Sequence, residues 1–262
     1  FYDRADDQVL RDPDFDRAHA GLLLGLESGD LRLARPSKGA WEVQTWIKRA
    51  ILLGFRASSM EEMPGWGMPA VDKAAYPPRR FGLDDGVRLV PGGSAVRRGA
   101  YLAPGVVVMP PAYVNVGAFV DEGTMVDSHA LVGSCAQVGK RVHLSAGAQL
   151  GGVLEPAGAT PVVVEDEAFI GALAGVFEGV LVRRRAVLAP GVILTANTTI
   201  FDLVHQRRWR GEVPEGAVVV PGSRPASGGY AQGLGLQLGA AVIVKLRDAG
   251  TDAATALEDA LR

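Results

Sequence analysis

The stretch 113-YVNVGAFVDEGTMVDSHALVGSCAQVGKRVHLSAG-147 decides the fold. Within it Val114, Val120, Val126, Val132, Val138 and Leu144 recur at every sixth position. The same step reaches back through Val108, Leu102 and Val96 to Val90, and forward to Leu150. After a break over 151–161 it resumes at Val164 and runs through Ile170, Val176, Val182, Leu188 and Leu194 to Ile200. A second column stands four residues after each anchor, as at Ala118, Thr124, Ala130, Ala136 and Val142, and its members are small or β-branched except Leu154, at the break.

An amphipathic helix repeats its apolar residues at three and four positions and a strand at two, so neither accounts for a strict six. Three hexapeptides closing one 18-residue coil do account for it. Each supplies a short flat side and a corner. The anchor points inward onto the anchors of the next coil, and the small residue fits the crowded corner. The expected fold is mainly β, a parallel β-helix over 86–220.

The flanks read differently. Over 41–63 the apolar residues Val43, Trp46, Ile47, Ala50, Ile51 and Phe55 follow helical spacing, and 21–27 reads as a second helix. Residues 1–85 are therefore expected to form a small helical domain that ends in an irregular, proline-rich linker over 64–80. Past Phe201 the pattern fades into a polar excursion over 205–212, with a final coil expected around 213–220. Residues 221–262 are expected to hold a glycine-rich loop over 221–239, a strand over 241–245 and a helix over 251–262. The break at 151–161 reads as a loop leaving the prism, either a tolerated surface insertion or a flap over a site.

The chain has 262 residues, 48% hydrophobic and 21% charged, enough to bury a core and unlike a disordered composition. A net charge of −2 gives no pull toward nucleic acid or an anionic membrane. No apolar run is long enough to span a bilayer, and no secretory leader is visible. A single Cys excludes an internal disulfide and fits a reducing cytoplasm. Starting at Phe1 rather than Met, the sequence is expected to lack a few native residues.

Besides the opening stretch, the strings GGVLEP (151–156), VEDEAFIGA (164–172), VPEGAVVVPGS (213–223), GDLRLARPSKGAWEVQTWIKRAILLGFR (29–56) and AAVIVK (240–245) resemble the tetrahydrodipicolinate N-succinyltransferases of bacterial lysine biosynthesis. The resemblance covers nearly the whole chain. It implies a left-handed β-helix, a homotrimer with sites between subunits, and succinyl transfer from succinyl-CoA to the amine of ring-opened L-tetrahydrodipicolinate. It implies acyl-CoA as a co-substrate, a small dicarboxylate amine as acceptor, and no tightly bound cofactor or metal. The chemistry asks for a base on the amine, donors for the thioester oxyanion and a cation for the acceptor carboxylates.

The resemblance places Asp127, in MVD, at the acceptor amine, and Arg88, in VRLVP, at an acceptor carboxylate. Each could instead be an ordinary turn or surface residue. Gly171 and Ala172, in FIGA, would let the pantetheine arm lie close to the prism, or would simply be corner residues. Lys245 could meet a CoA phosphate or be a solvated strand end. Arg97 and Arg98 read as solvated, and Cys135 as a structural thiol.

Three positions depart from the family pattern. The family's FIGA string runs on to a Glu with an assigned catalytic role, and that position is Gly175 here. The string 195-TANTT-199 replaces a glycine-containing one, and His129 replaces a Trp. His129 is a candidate substitute base, or a plain surface residue. The departures leave open a member acylating another amine or using acetyl-CoA, and a non-catalytic trimer. A zinc lyase on the same prism would need three converging His, whereas His19, His129, His143 and His205 include no close pair.

Overall fold

The computed structural model describes residues 4–64 and 69–255. Its body is a three-sided prism of two-residue strands. One face carries strands that begin at Arg88, Val107, Met125, His143, Phe169, Val187 and Ala217. The second carries strands from Ala95 to Ile193, and the third from Tyr101 to Glu212. Paired residues are eighteen apart, as Met125↔Val107 and His143↔Met125 show. Each rung is bonded backbone to backbone, with Met125 N donating to Val142 O at 2.9 Å and Asp127 N to Leu144 O at 2.9 Å.

Sixteen of the eighteen anchors, Val96 to Leu150 and Val164 to Leu194, are inward-facing and at most 5% exposed. Val, Leu, Ile and Ala fill the interior, each large side chain there contributing about 1.5–3 kcal/mol by leaving water. The two end anchors differ. Leu89, not Val90, pairs with Val108, because the corner before Ser94 holds an extra residue turned by Gly92 and Gly93 at φ +142° and +96°. At the other end Val213, not Ile200, pairs with Val182. Residues 200–209 leave the coil as a hairpin, Ile200–Asp202 against Arg207–Trp209.

Corners need a residue in the left-handed region, and at Gly117 the need is double. Its φ is +73°, and a Cβ there would meet Cys135 Sγ at 3.1 Å and Ile51 Cδ1 at 3.2 Å. His129 and Cys135 hold the equivalent corners with φ of +62° and +68°. Across the break, partners such as Gln137 and Val163 are 26 apart instead of eighteen, so eight extra residues form the loop. That loop is tethered, since the buried Lys48 donates from Nζ to Ala159 O at 2.5 Å.

The helical part is smaller than the spacing implies. Helices span Asp6–Leu10, Phe15–Glu27 and Thr45–Ala57. Trp41 and Val43 alternate with exposed neighbours in a strand, Ala40–Val43, paired with Ala34–Ser37. Trp41 Nε1 donates to Glu165 Oε1 at 3.0 Å on the prism. Met60–Pro64 is also a strand, paired with Pro69–Lys73, so the expected linker holds half a hairpin. Beyond it, Arg79 N donates to Val96 O and Arg98 N to Pro77 O, which lays this segment along the first coil.

Arg97 and Arg98 are not solvated as expected. The Arg97 side chain is 14% exposed, ion-paired with Asp72 at 2.5 Å and stacked over Phe55 and Tyr76. Arg98 lies 3.8 Å from Glu27. Both join the helices to the prism. Leu22, Leu23, Leu26, Ile47 and Ile51 pack with Val116 and Cys135 in one buried cluster.

At the far end, the expected 221–239 loop is a hairpin, with strand at 221–225 and 237–239 and a short helix between. Ala217–Pro225 turns through a short helix, Gly229–Gly233, and returns antiparallel as Gln237–Leu246. The terminal helix spans Ala249–Thr255, and the rest of the expected 251–262 helix lies outside the described residues. No helix among the described residues is long and apolar enough to cross a membrane.

Candidate functional site

Two adjoining columns run along the first face. Just before each anchor stand Arg88, Val107, Met125, His143, Phe169, Val187, Val218 and Lys245. Just after each anchor come Asp127, Ser145, Gly171 and Ala189, joined to their neighbours by Asp127 N→Leu144 O, Ser145 N→Ile170 O and Gly171 N→Leu188 O. With rungs about 4.8 Å apart, Arg88 lies roughly 10 Å below Asp127 along the axis, and Gly171 roughly 10 Å above it. The coil thus brings Arg88, Asp127, Gly171 and Lys245 onto one face, although up to 157 positions separate them.

Asp127 is 30% exposed at its side chain, and its Oδ1 accepts from Ser128 N at 2.7 Å. Its Oδ2 faces His143 Nε2 at 3.8 Å. The His143 ring is 12% exposed and tilted against Phe169, with centroids 5.0 Å apart. The pairing escaped sequence reading because the two residues are sixteen apart. An 18-residue coil makes position i+16 a diagonal neighbour one rung up, and that signal was present in the repeat.

The other candidates are placed less centrally. His129 sits exposed on the corner after Asp127, with its carbonyl held by Gln149 Nε2 at 3.0 Å. Gly171 is buried, and a Cβ there would meet Leu188 O and Pro190 N at 2.6 Å, so the next coil sets its size. Ala172 follows on the corner, where its carbonyl accepts from Gly191 N at 3.0 Å. Lys245 is ion-paired with Asp248 at 3.0 Å. Arg88 lines an open cleft of about 490 Å³ with Phe81, Gly82 and Val87. Cys135 is buried, which pushes its thiol up to about 12 despite the nearby Lys48 cation. Among the described residues, no three His, Cys, Asp or Glu side chains converge as a metal-binding set.

Gly175 lies on the second face, between Gln149 and Ile193. A Cβ on it would meet the Phe177 ring at 2.5 Å, and one on Gly151 would meet the same ring at 2.6 Å. Phe177 therefore roofs two glycines, one of them at the position where the resemblance expects a Glu.

Comparison with known proteins settles the relationship. Over 248 residues the chain is 47% identical to the 2,3,4,5-tetrahydropyridine-2,6-dicarboxylate N-succinyltransferase of Nitrobacter winogradskyi, covering 90% of this chain and 86% of that one. The chain belongs to the tetrahydrodipicolinate N-succinyltransferase family. The family member from Azoarcus sp. is 47% identical over 250 residues, covering 94% of this chain and 89% of its own. Residues 1–57 match the family's description "Tetrahydrodipicolinate N-succinyltransferase N-terminal", and residues 161–196 match "Hexapeptide repeat of succinyl-transferase". A Campylobacter jejuni crystal structure described as a 2,3,4,5-tetrahydropyridine-2-carboxylate N-succinyltransferase superposes with a TM-score of 0.55 at 16% identity. The match covers 87% of this chain and 62% of that one, and it shows the fold. The prism is the left-handed parallel β-helix of this family.

Proposed function

We propose that this protein transfers succinyl from succinyl-CoA to the amine of ring-opened L-tetrahydrodipicolinate, in the cytoplasmic route to diaminopimelate and lysine. The observation that carries the reading is the Asp127–His143 approach on the face that also holds Arg88. In this reading Arg88 binds an acceptor carboxylate. The amine loses its proton to the Asp127–His143 pair as nitrogen bonds to the thioester carbon. The C–S bond then breaks, and the departing thiolate receives a proton, releasing CoA. Gly171 and Ala172 line the path of the thioester arm, and Lys245 lies further along it.

A flat prism face supplies only one wall of a site. A homotrimer would supply the second from a neighbouring prism, and we propose that assembly. Gly175 under Phe177 supports a second reading, in which the acceptor or the acyl group differs from that of the relatives.

One assay tests both readings. Purified protein receives 2-aminopimelate as a stable acceptor analogue with succinyl-CoA or acetyl-CoA, and free thiol is followed. Release with succinyl-CoA supports the first reading, and faster release with acetyl-CoA the second. No release with either donor overturns transfer altogether.

A further inference from the structure

The three helices of the N-terminal part enclose a cavity of about 330 Å³. Val9 reaches it from the Asp6–Leu10 helix, Phe15 and Leu22 from Phe15–Glu27, and Trp46 and Leu53 from Thr45–Ala57. Val9, Phe15, Leu22 and Leu53 are at most 7% exposed, whereas Trp46 is 37% exposed and forms part of the rim. The room exists because small residues also face it. Gly21 lines the cavity, and a Cβ there would meet nothing within 4 Å. No lining residue belongs to the prism, so a ligand here would leave the first face open.

Two ionisable side chains, Arg49 and His19, stand in this apolar lining. The charge of Arg49 is already matched. Its Nε donates to Asp6 Oδ1 at 2.9 Å, and its Nη2 donates to Arg4 O. The lining therefore does not call for an anion.

His19 differs. The Tyr76 hydroxyl has one proton, and it donates that proton to Ile51 O at 2.8 Å. Its 2.9 Å contact with His19 Nε2 must then have the ring N–H as donor. Burial lowers the pKa of the ring, and the Arg98 cation adds to the effect, so the imidazole is neutral near pH 7. A neutral ring protonated on Nε2 presents Nδ1 as a bare acceptor. Tyr76 lies outside the lining, and Nδ1 has no hydrogen-bond partner among the described residues. The ring is held in this pose. Phe15 stacks on it with centroids 5.8 Å apart, and a Cβ on Gly54 would collide with its Nε2.

A covered acceptor without a donor costs free energy. A water on Nδ1 needs several polar partners to be held, and the lining around the ring is apolar. A ligand with one donor and otherwise apolar surface meets both conditions. An apolar cavity of about 150 Å³ is enough to take up benzene. This one has about twice that room, and Phe15 and Trp46 offer aromatic surface to stack against.

We propose that this cavity binds a neutral bicyclic aromatic molecule carrying a single O–H or N–H donor, which donates to His19 Nδ1. A carboxylate in the same place would set its own lone pairs against that of Nδ1. The proposal is independent of the acyl-transfer reading.

The test is calorimetric titration of the full chain with 2-naphthol, 2-methoxynaphthalene and 2-naphthoate. The first carries the donor, the second has it methylated, and the third is an anion of similar size. 2-Naphthol is expected to bind about tenfold more tightly than either of the others, or better. His19→Phe keeps a ring against Phe15 and should bind 2-naphthol and 2-methoxynaphthalene alike. Ala50→Phe, on the opposite helix, fills the cavity and should abolish binding of all three. Thermal unfolding of each variant confirms that it is folded, and the three-probe comparison on the unaltered chain needs no variant. Failure of 2-naphthol to bind the unaltered chain overturns the proposal, as does equal affinity for 2-naphthol and 2-methoxynaphthalene. An undiminished preference in folded His19→Phe, or unchanged 2-naphthol affinity in folded Ala50→Phe, overturns it too.

Discussion

His143 Nε2 faces Asp127 Oδ2 across 3.8 Å, from one rung above it on the prism. A carboxylate alone is a weak base for an ammonium group. Beside an imidazole it can hold the proton's charge while the ring holds the proton.

Asp127→Asn is expected to lower kcat by about 10²–10⁴-fold. His143→Gln should lower kcat with little change in KM for either substrate. His129→Ala should leave both intact. Steady-state rates across pH 5–9 check all three. A His143→Gln variant with unchanged kcat would remove the ring from proton transfer.

Phe177 over Gly151 and Gly175 yields a paired prediction. Gly175→Glu alone forces the ring aside and should destabilise the fold by about 1–3 kcal/mol, as overpacking does. Adding Phe177→Val should recover most of that loss. Denaturant midpoints of the single and double variants give the coupling directly.

Lys48 is a buried cation whose pKa is lowered by desolvation, and it holds the Ala159 carbonyl. Lys48→Met keeps the stem's volume and loses the tether. Limited proteolysis within 151–161 should then speed up while the prism stays resistant.

Glu167 accepts from Arg141 and Arg184 at 2.8 Å, and these bonds hold its carboxyl down at about 2. Its folded value lies below the unfolded one of about 4.3, so its stabilising contribution is complete above that pH and is lost as pH falls toward 2. Glu167→Gln should therefore be less stable than the unaltered chain at pH 7, with the gap closing in acid. Thermal midpoints across that range measure it.

Much of the prism was legible because each coil repeats one constraint. An inward residue must be apolar and a corner residue small, and sixteen anchors, Val96 to Leu150 and Val164 to Leu194, keep the period on either side of the break. The register failed at Val90 and Ile200, where an extra corner residue and an inserted hairpin shift the pairing without changing residue type. The 221–239 strands were hidden by glycines. Their backbones pair along their length, but no side chain over 221–225 or 237–239 is fully buried, so no apolar pattern marks them. Asp127 and Arg88 were singled out by resemblance alone, and their shared face follows from the coil length. His143 was not singled out, because its approach to Asp127 is a diagonal contact.

At each end of the prism, chain that breaks the repeat covers one face. At the start, Pro78 pairs antiparallel with Arg97, and the Phe15–Glu27 helix packs against the first coil. At the finish, Gln237–Leu246 runs antiparallel to Ala217–Pro225. Every coil is a template for the next, so an uncovered end would accept the uncovered end of a second molecule and grow into a filament. The caps therefore set the protein's length in solution. Variants that loosen either cap should reveal themselves first as fibres and turbidity, before any loss of secondary structure.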